Sequence, residues 1–133
     1  MCTMNIEVQR KLSELFAKAE QGDVQAQLKI AARYEYGNGV EQSYEEAVKW
    51  YRLAAEKKNP DAQFKLGYCY EQGKGVEPSN EAAIWWYRRA GEQGDAIARE
   101  RARLLLNASN FKELENNFIE FDEELWRQLH GTF

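Results

Sequence analysis

Residues 26–61 read AQLKIAARYEYGNGVEQSYEEAVKWYRLAAEKKNPD, and residues 62–97 repeat the pattern as AQFKLGYCYEQGKGVEPSNEAAIWWYRRAGEQGDAI. Seventeen of the thirty-six aligned positions carry the same residue in both stretches. Several of the other positions exchange one apolar side chain for another, such as Ile30 for Leu66. Self-similarity at a fixed period of this size is typical of proteins built by stacking one supersecondary unit.

Each copy reads as a helix, a glycine turn and a second helix. Ala26, Ile30 and Tyr34 recur every four residues, which predicts one apolar stripe on an α-helix. The Gly37-Asn38-Gly39 segment then ends that helix, because glycine adopts the left-handed conformation of a helix C-terminus at low cost. Ser43 is followed three residues later by a glutamate, the spacing of a capping box, and this predicts the start of the second helix.

The second helix of each copy places large aromatic side chains beside alanines. Trp50 and Tyr51 stand between alanines at helical spacing, and Trp86 and Tyr87 take the equivalent places in the second copy. Alanines let helices approach closely while the rings fill the remaining space, so we predict that all four aromatic residues are core. A single helix pair cannot bury its apolar stripe, so it must stack on a neighbour, which predicts an all-α solenoid.

The repeat continues as half-units at both ends. Residues 5–20 are followed by the same Gln-Gly-Asp junction that follows the second helix of the second copy, so they resemble the second helix of a preceding unit. Residues 95–106 continue the alanine columns and resemble the first helix of a third unit. We therefore divide a single domain, residues 1–133, into an N-terminal capping helix (5–20), repeat 1 (22–58), repeat 2 (59–94), a partial repeat 3 (95–106) and an acidic C-terminal capping helix (107–133).

Residues 107–133, here called the tail, differ from the repeats. They hold two basic and six acidic side chains, so the whole net charge of −4 lies in the tail. A helical apolar seam is formed by Phe111, Leu114, Phe118, Phe121 and Leu125. We predict that the tail folds back over the open end of the solenoid, beside Arg88, Arg89, Arg99, Arg101 and Arg103. The alternative is that the tail itself docks on a partner.

The chain resembles the Sel-1-like repeat family, a relative of the tetratricopeptide repeats. The motifs that carry the resemblance are Leu66-Gly67-x-x-Tyr70-x-x-Gly73-x-Gly75-Val76 and Ala83-x-x-Trp86-Tyr87-x-x-Ala90, and the first copy departs from them only at Ile30 and Ala31. The resemblance implies a right-handed α/α superhelix, with two full repeats, that serves as a protein-binding scaffold. Known members act as adaptors in signalling and protein quality control, and some bacterial members neutralise toxins.

The resemblance also implies where a partner binds, because the first helix of each pair lines the concave groove in such stacks. The predicted groove residues are Gln25, Leu28, Ala32, Glu35, Tyr36, Asp61, Phe64, Tyr68, Glu71 and Gln72. Leu28 and Phe64 have an equally good alternative as core between repeats, whereas Tyr36 and Tyr68 are the stronger candidates. Trp85 replaces Lys49 of the first copy, so we expect it to lie outside the designed core, covered by the tail or by a partner.

The most direct prediction of function is a non-catalytic scaffold or adaptor that binds another protein in this groove. An immunity protein that holds a cognate toxin is the alternative, because an acidic groove attracts a basic partner. A hydrolase-type enzyme is less well supported. The lone histidine, His130, stands three residues from the end of the printed sequence, and the cysteines Cys2 and Cys69 lie far apart from it, so we predict no catalytic, cofactor or metal site.

Composition excludes several other classes. With 18 basic against 22 acidic side chains, the chain lacks the positive surface that nucleic-acid binding requires. No segment is long and apolar enough to span a bilayer, and the first residues lack the pattern of a secretory signal. Secreted relatives tend to pair cysteines within each repeat, but Cys69 faces Arg33 in the alignment. We therefore predict a cytoplasmic protein that is a monomer or a weak homodimer.

Overall fold

Six α-helices follow one another in the computed structural model, which describes residues 6–108. Each helix packs against the next one along the chain, and the described residues contain no strand. The predicted all-α solenoid is therefore confirmed. Apart from its first two residues, the tail lies outside the described residues. The helices are α1 (Ile6–Glu20), α2 (Val24–Tyr36), α3 (Tyr44–Glu56), α4 (Pro60–Gln72), α5 (Asn80–Glu92) and α6 (Ala96–Ala108).

The first helix of each unit begins with the same cap. Asp23, Asn59 and Asp95 are spaced by 36 residues, and each side chain accepts a hydrogen bond from the backbone N–H three residues later, at 3.1, 2.9 and 3.0 Å. Such a bond satisfies one of the donors that a helix N-terminus leaves unpaired. Because α6 begins in the same way as α2 and α4, it is the first helix of a third unit.

The turn and the second helix form as the sequence predicts, with one difference. Gly37 and Gly73 adopt left-handed φ angles of 67° and 69° and end α2 and α4. The Ser43 side chain then accepts a hydrogen bond from the Glu46 N–H at 3.2 Å. The Glu46 carboxylate instead bonds the Lys49 ammonium at 3.1 Å. The capping box is therefore only half formed, because the Ser43 N–H already donates to the Tyr34 carbonyl at 2.9 Å.

The aromatic and alanine columns meet in the core. Tyr51, Trp86 and Tyr87 are at most 2% exposed, and the alanines beside them are fully buried. Trp50 is half-buried and packs edge-on against Phe16 of α1, with ring centroids 6.4 Å apart. Helix α1 thus takes the place of a second helix before the first complete unit, as its sequence indicates.

Buried polar side chains tie successive units together. Gln27 and Gln63 are 3% and 1% exposed, and each donates to the carbonyl oxygen at the same position of the preceding helix, that of Ala19 or Ala55. Arg99 takes the third place in this column and donates to the Gly91 carbonyl at 2.8 Å. A buried amide that keeps a hydrogen bond avoids the cost of desolvation, so the column fixes the stacking register.

Candidate protein-binding face

The first helices α2, α4 and α6 share one side of the solenoid, here called the concave face. Two ion pairs join successive first helices directly, Glu35 to Lys65 at 3.7 Å and Glu71 to Arg101 at 2.8 Å. All ten predicted groove residues lie on α2 or α4. Those that are exposed are Gln25, Tyr36, Asp61 and Gln72; those that are half-buried are Leu28, Ala32, Glu35, Phe64, Tyr68 and Glu71.

The two alternatives for Leu28 and Phe64 are resolved by their contacts. Leu28 packs against the buried residues of both units, and the Phe64 ring lies 5.5 Å from the Tyr87 ring. Both side chains therefore belong partly to the core between repeats. Each also remains partly exposed on the concave face.

A repeated network of tyrosine, glutamate and cation crosses this face. Tyr51 donates its hydroxyl proton to Glu35 at 2.6 Å, and Tyr87 donates to Glu71 at 2.7 Å. Arg101 holds Glu71 with two further N–H groups, and its Nη2 lies 2.8 and 2.9 Å from the two carboxylate oxygens. Burial raises the pKa of both tyrosines, and the hydrogen bonds to the glutamates act in the same direction.

Two acids of the predicted groove, Glu35 and Glu71, are therefore already paired. Glu35 and Glu71 each have a cation from the next unit and a phenol from their own unit. A carboxylate that is already paired offers little attraction to an incoming basic group. The missed residues are Lys65 and Arg101, although Lys65 aligns with Lys29 in the overlaid copies and that column was a visible signal.

Tyr68 lies between two cations. The Lys74 ammonium is 5.2 Å from the Tyr68 ring centroid and 5.3 Å from that of Tyr44, and the Arg101 guanidinium is 5.9 Å from the Tyr68 ring. These distances are within the range of cation–π attraction. Lys74 belongs to the Gly73-Lys74-Gly75 turn, and its ammonium group contacts both tyrosine rings.

At the position where the second unit has Tyr68, the first unit has a small side chain beside a surface hollow. Ala32 is the equivalent residue, and beside it lies an open cleft of about 220 Å³. Its lining residues are Leu15, Lys29, Ala32, Arg33, Tyr36 and Asn38. Tyr36, at the rim, is 68% exposed. The concave face therefore offers a projecting phenol, Tyr36, next to a hollow that can receive one side chain.

Trp85 is buried beside Trp86. It is only 5% exposed, its ring meets Trp86 edge-on at 4.7 Å, and the Arg89 guanidinium lies 4.8 Å from it. Aromatic pairing and a cation over the ring stabilise a tryptophan at a position where the first unit has a lysine. Trp85 is part of the core, so it offers no exposed indole for a second contact.

The remaining titratable candidates do not form a reactive site in the part of the chain that the structure describes. Residues 6–108 contain no group of three His, Cys, Asp or Glu side chains able to hold a metal. Cys69 is a buried free thiol, and burial raises its pKa to about 11, with Glu35 acting in the same direction. His130 and Cys2 lie outside the described residues. No helix between residues 6 and 108 combines the length and apolar character needed to cross a membrane.

The fold and the repeated motifs agree with a known family. The sequence profile of the Sel1 repeat matches residues 24–59 and again 60–95, more than half of the chain. The chain belongs to the Sel1 repeat family. No curated protein matches this Sel1 repeat protein along its sequence.

Three solved structures are similar to it. A Sel1 repeat protein from Oxalobacter formigenes is 38% identical with a TM-score of 0.69, over 72% of this chain and 40% of that one. The protective antigen c5321 of uropathogenic Escherichia coli, which displays an SLR fold, is 40% identical with a TM-score of 0.62, over 63% of this chain and 18% of that one. Cysteine rich protein B of Helicobacter pylori shares the fold at 24% identity and a TM-score of 0.66, over 73% of this chain and 71% of that one. The chain thus spans two fifths or less of the first two proteins.

Proposed function

We propose that this Sel1 repeat protein is a non-catalytic scaffold that binds a partner protein on its concave face. The observation that carries the proposal is the juxtaposition of Tyr36, 68% exposed, with the cleft of about 220 Å³ beside Ala32. Exposed tyrosines and well-formed hollows are the features that supply most of the binding energy at protein interfaces. The half-buried Tyr68, one unit further along, extends the same surface.

The charges of the face favour a partner segment with acidic or neutral side chains. Lys65 and Arg101 remain 38% and 37% exposed beside their glutamates. Lys74 adds a third cation, held over two tyrosine rings. Because Glu35 and Glu71 are already paired, the face is less attractive to the basic partner that the toxin-immunity alternative requires. We therefore retain the scaffold role alone, and a cytoplasmic location stays a prediction.

The proposal assigns no reaction to the chain. The buried thiol of Cys69 is the only cysteine among residues 6–108, and its raised pKa keeps it protonated and therefore poorly nucleophilic at neutral pH. The tyrosines with raised pKa values serve the network that joins the repeats, since each donates its proton to a glutamate.

Photo-crosslinking tests the concave face directly. The photoreactive residue p-benzoylphenylalanine is placed at position 36, on the concave face, or at position 49 as a control. Lys49 has a side chain 68% exposed on the second helix α3, so both probes reach solvent. We expect one discrete adduct in source cells from position 36 and none from position 49.

A second substitution links the adduct to the face. Tyr68→Ala, combined with the probe at position 36, removes the adduct while the protein still unfolds cooperatively above the temperature of the experiment. Equal adducts from both positions, or an adduct that survives Tyr68→Ala, would show that the partner binds elsewhere.

A further inference from the structure

In each complete unit the second helix packs on the first, in a position here called its seat. Helix α5 packs on α4, and at the floor of that seat lie Gln63, 1% exposed, and Gly67, which is buried. A Cβ atom at Gly67 would come within 2.9 Å of Cδ1 of Tyr87 on α5. The seat therefore requires a very small residue at this position, and the first unit supplies Ala31 there.

The next seat, which a second helix following α6 would occupy against α5 and α6, is built differently. The positions equivalent to Gln63 and Gly67 are Arg99 and Arg103, and both are exposed. They border an open cleft of about 440 Å³, here called the arginine cleft. Its lining residues are Arg88, Gly91, Glu92, Arg99, Ala102, Arg103 and Leu106. An arginine in place of Gly67 leaves no room for a helix seated as α5 is, so the cleft fits an occupant of different shape and opposite charge.

We propose that residues 109–133, the part of the tail that follows α6, bind in the arginine cleft. Charge supports this occupant, because the segment holds six acidic and two basic side chains while the cleft is lined by three arginines and one glutamate. Chain length supports it as well. The 25 residues after Ala108 exceed the 20 residues, 73–92, that carry the chain from the end of α4 to the end of α5.

The partners that the arginines now have do not prevent this binding. Arg103 pairs with Glu100 on the same helix, and both side chains are more than half exposed. Exposed pairs within one helix contribute little and can exchange partners at low cost. Arg99 donates one N–H group to the Gly91 carbonyl at 2.8 Å, which leaves its other donors for a carboxylate. Leu106, which is half-buried, gives the tail's apolar seam a surface to cover.

This binding closes the open end of the solenoid and is independent of the concave face. It is tested by hydrogen–deuterium exchange on the full chain, read peptide by peptide. We expect amides of residues 111–127 to exchange at least about tenfold more slowly than in the urea-unfolded chain. The double variant Arg99→Glu/Arg103→Glu should lose that protection while α2 to α4 keep theirs.

Matched variants separate charge complementarity from unfolding. Arg10→Glu/Lys18→Glu makes the same charge change on the exposed side of α1 and should leave tail protection unchanged. Reversing the tail acids at 120, 122, 123 and 124 to lysine in the Arg99→Glu/Arg103→Glu background should restore protection.

Three outcomes would overturn the proposal. The first is a wild-type tail that exchanges at the unprotected rate, and the second is protection that survives the arginine reversal. The third is protection that falls on dilution, because it would identify a second copy as the occupant. If α2 to α4 also lose protection in Arg99→Glu/Arg103→Glu, that variant is unfolded. The variant that also carries lysines in place of the tail acids then decides, because restored tail protection supports the proposal and its absence overturns it.

Discussion

Glutamine in place of Glu71 tests the network that joins α4 of the second unit to α6 of the partial third unit on the concave face. The substitution keeps the side-chain size and can still accept the Tyr87 hydroxyl, but it removes the charge that faces Arg101. A charge-assisted hydrogen-bonded pair contributes about 1.5–3 kcal/mol. Because the Arg101 side chain is 37% exposed, water screens part of the attraction, and we expect a loss of about 1–2 kcal/mol.

The first unit supplies the matched control. Glu35 also accepts from a tyrosine, but its cation, Lys65, makes a single contact at 3.7 Å and is 38% exposed. A longer contact between half-exposed groups contributes about 0.2–1 kcal/mol. Glu35→Gln should therefore destabilise the protein less than Glu71→Gln, although the two residues occupy equivalent positions.

Urea unfolding followed by tryptophan fluorescence measures both losses. The double variant Glu71→Gln/Arg101→Gln completes a mutant cycle, for which we expect a coupling energy of about 1 kcal/mol. A coupling below about 0.3 kcal/mol, or a greater loss from Glu35→Gln than from Glu71→Gln, would refute the assignment of this network as a connection between units.

Three further predictions concern the core. Trp86→Ala should lower the free energy of unfolding by about 3–5 kcal/mol and Trp50→Ala by about half as much, since Trp86 is 2% exposed and Trp50 only half-buried; equal shifts in the urea midpoint would contradict this. The raised pKa of Tyr87 means that the fold favours the protonated phenol, so this stabilisation is complete below about pH 10 and is lost at higher pH. Urea midpoints between about pH 9 and 11 should fall less steeply in Tyr87→Phe, and parallel curves would exclude Tyr87 as the cause. In a Cys2→Ser background, Cys69 should react with a thiol reagent at neutral pH at least about a hundredfold more slowly than in urea, and rapid labelling of the folded protein would contradict its burial.

The sequence predicted the repeat architecture because its signals are local or periodic. Helix starts at Asn59 and Ser79 and the stop at Gly73 follow from hydrogen bonds within a few residues. The burial of Trp86 and Tyr87 follows from their recurrence in two copies. Because the motif occurs twice at one spacing, each copy predicts the surface on which its neighbour stacks. The solenoid could therefore be predicted from the sequence alone.

The pairing of charged groups was not readable in this way. Glu71 and Arg101 are thirty residues apart, and only the packing of both α4 and α6 against α5 brings the carboxylate and the guanidinium into contact. The sequence alone does not distinguish a paired Glu35 or Glu71 from an unpaired acid on a groove wall. The same limit applied to Trp85, because replacement of a lysine by a tryptophan does not reveal whether the ring faces solvent or its neighbour Trp86.

By itself, the sequence determined that this chain consists of stacked helical hairpins, since a 36-residue period fixes which positions are small, aromatic or capping in each unit. Only the tertiary structure decided what the surfaces offer. It showed that Glu35 and Glu71 are already paired with cations, and it placed Arg99 and Arg103 where a complete unit would seat its second helix. The reason is physical: capping hydrogen bonds and hydrophobic periodicity act within a few residues along the chain, whereas charge pairing depends on distances between helices.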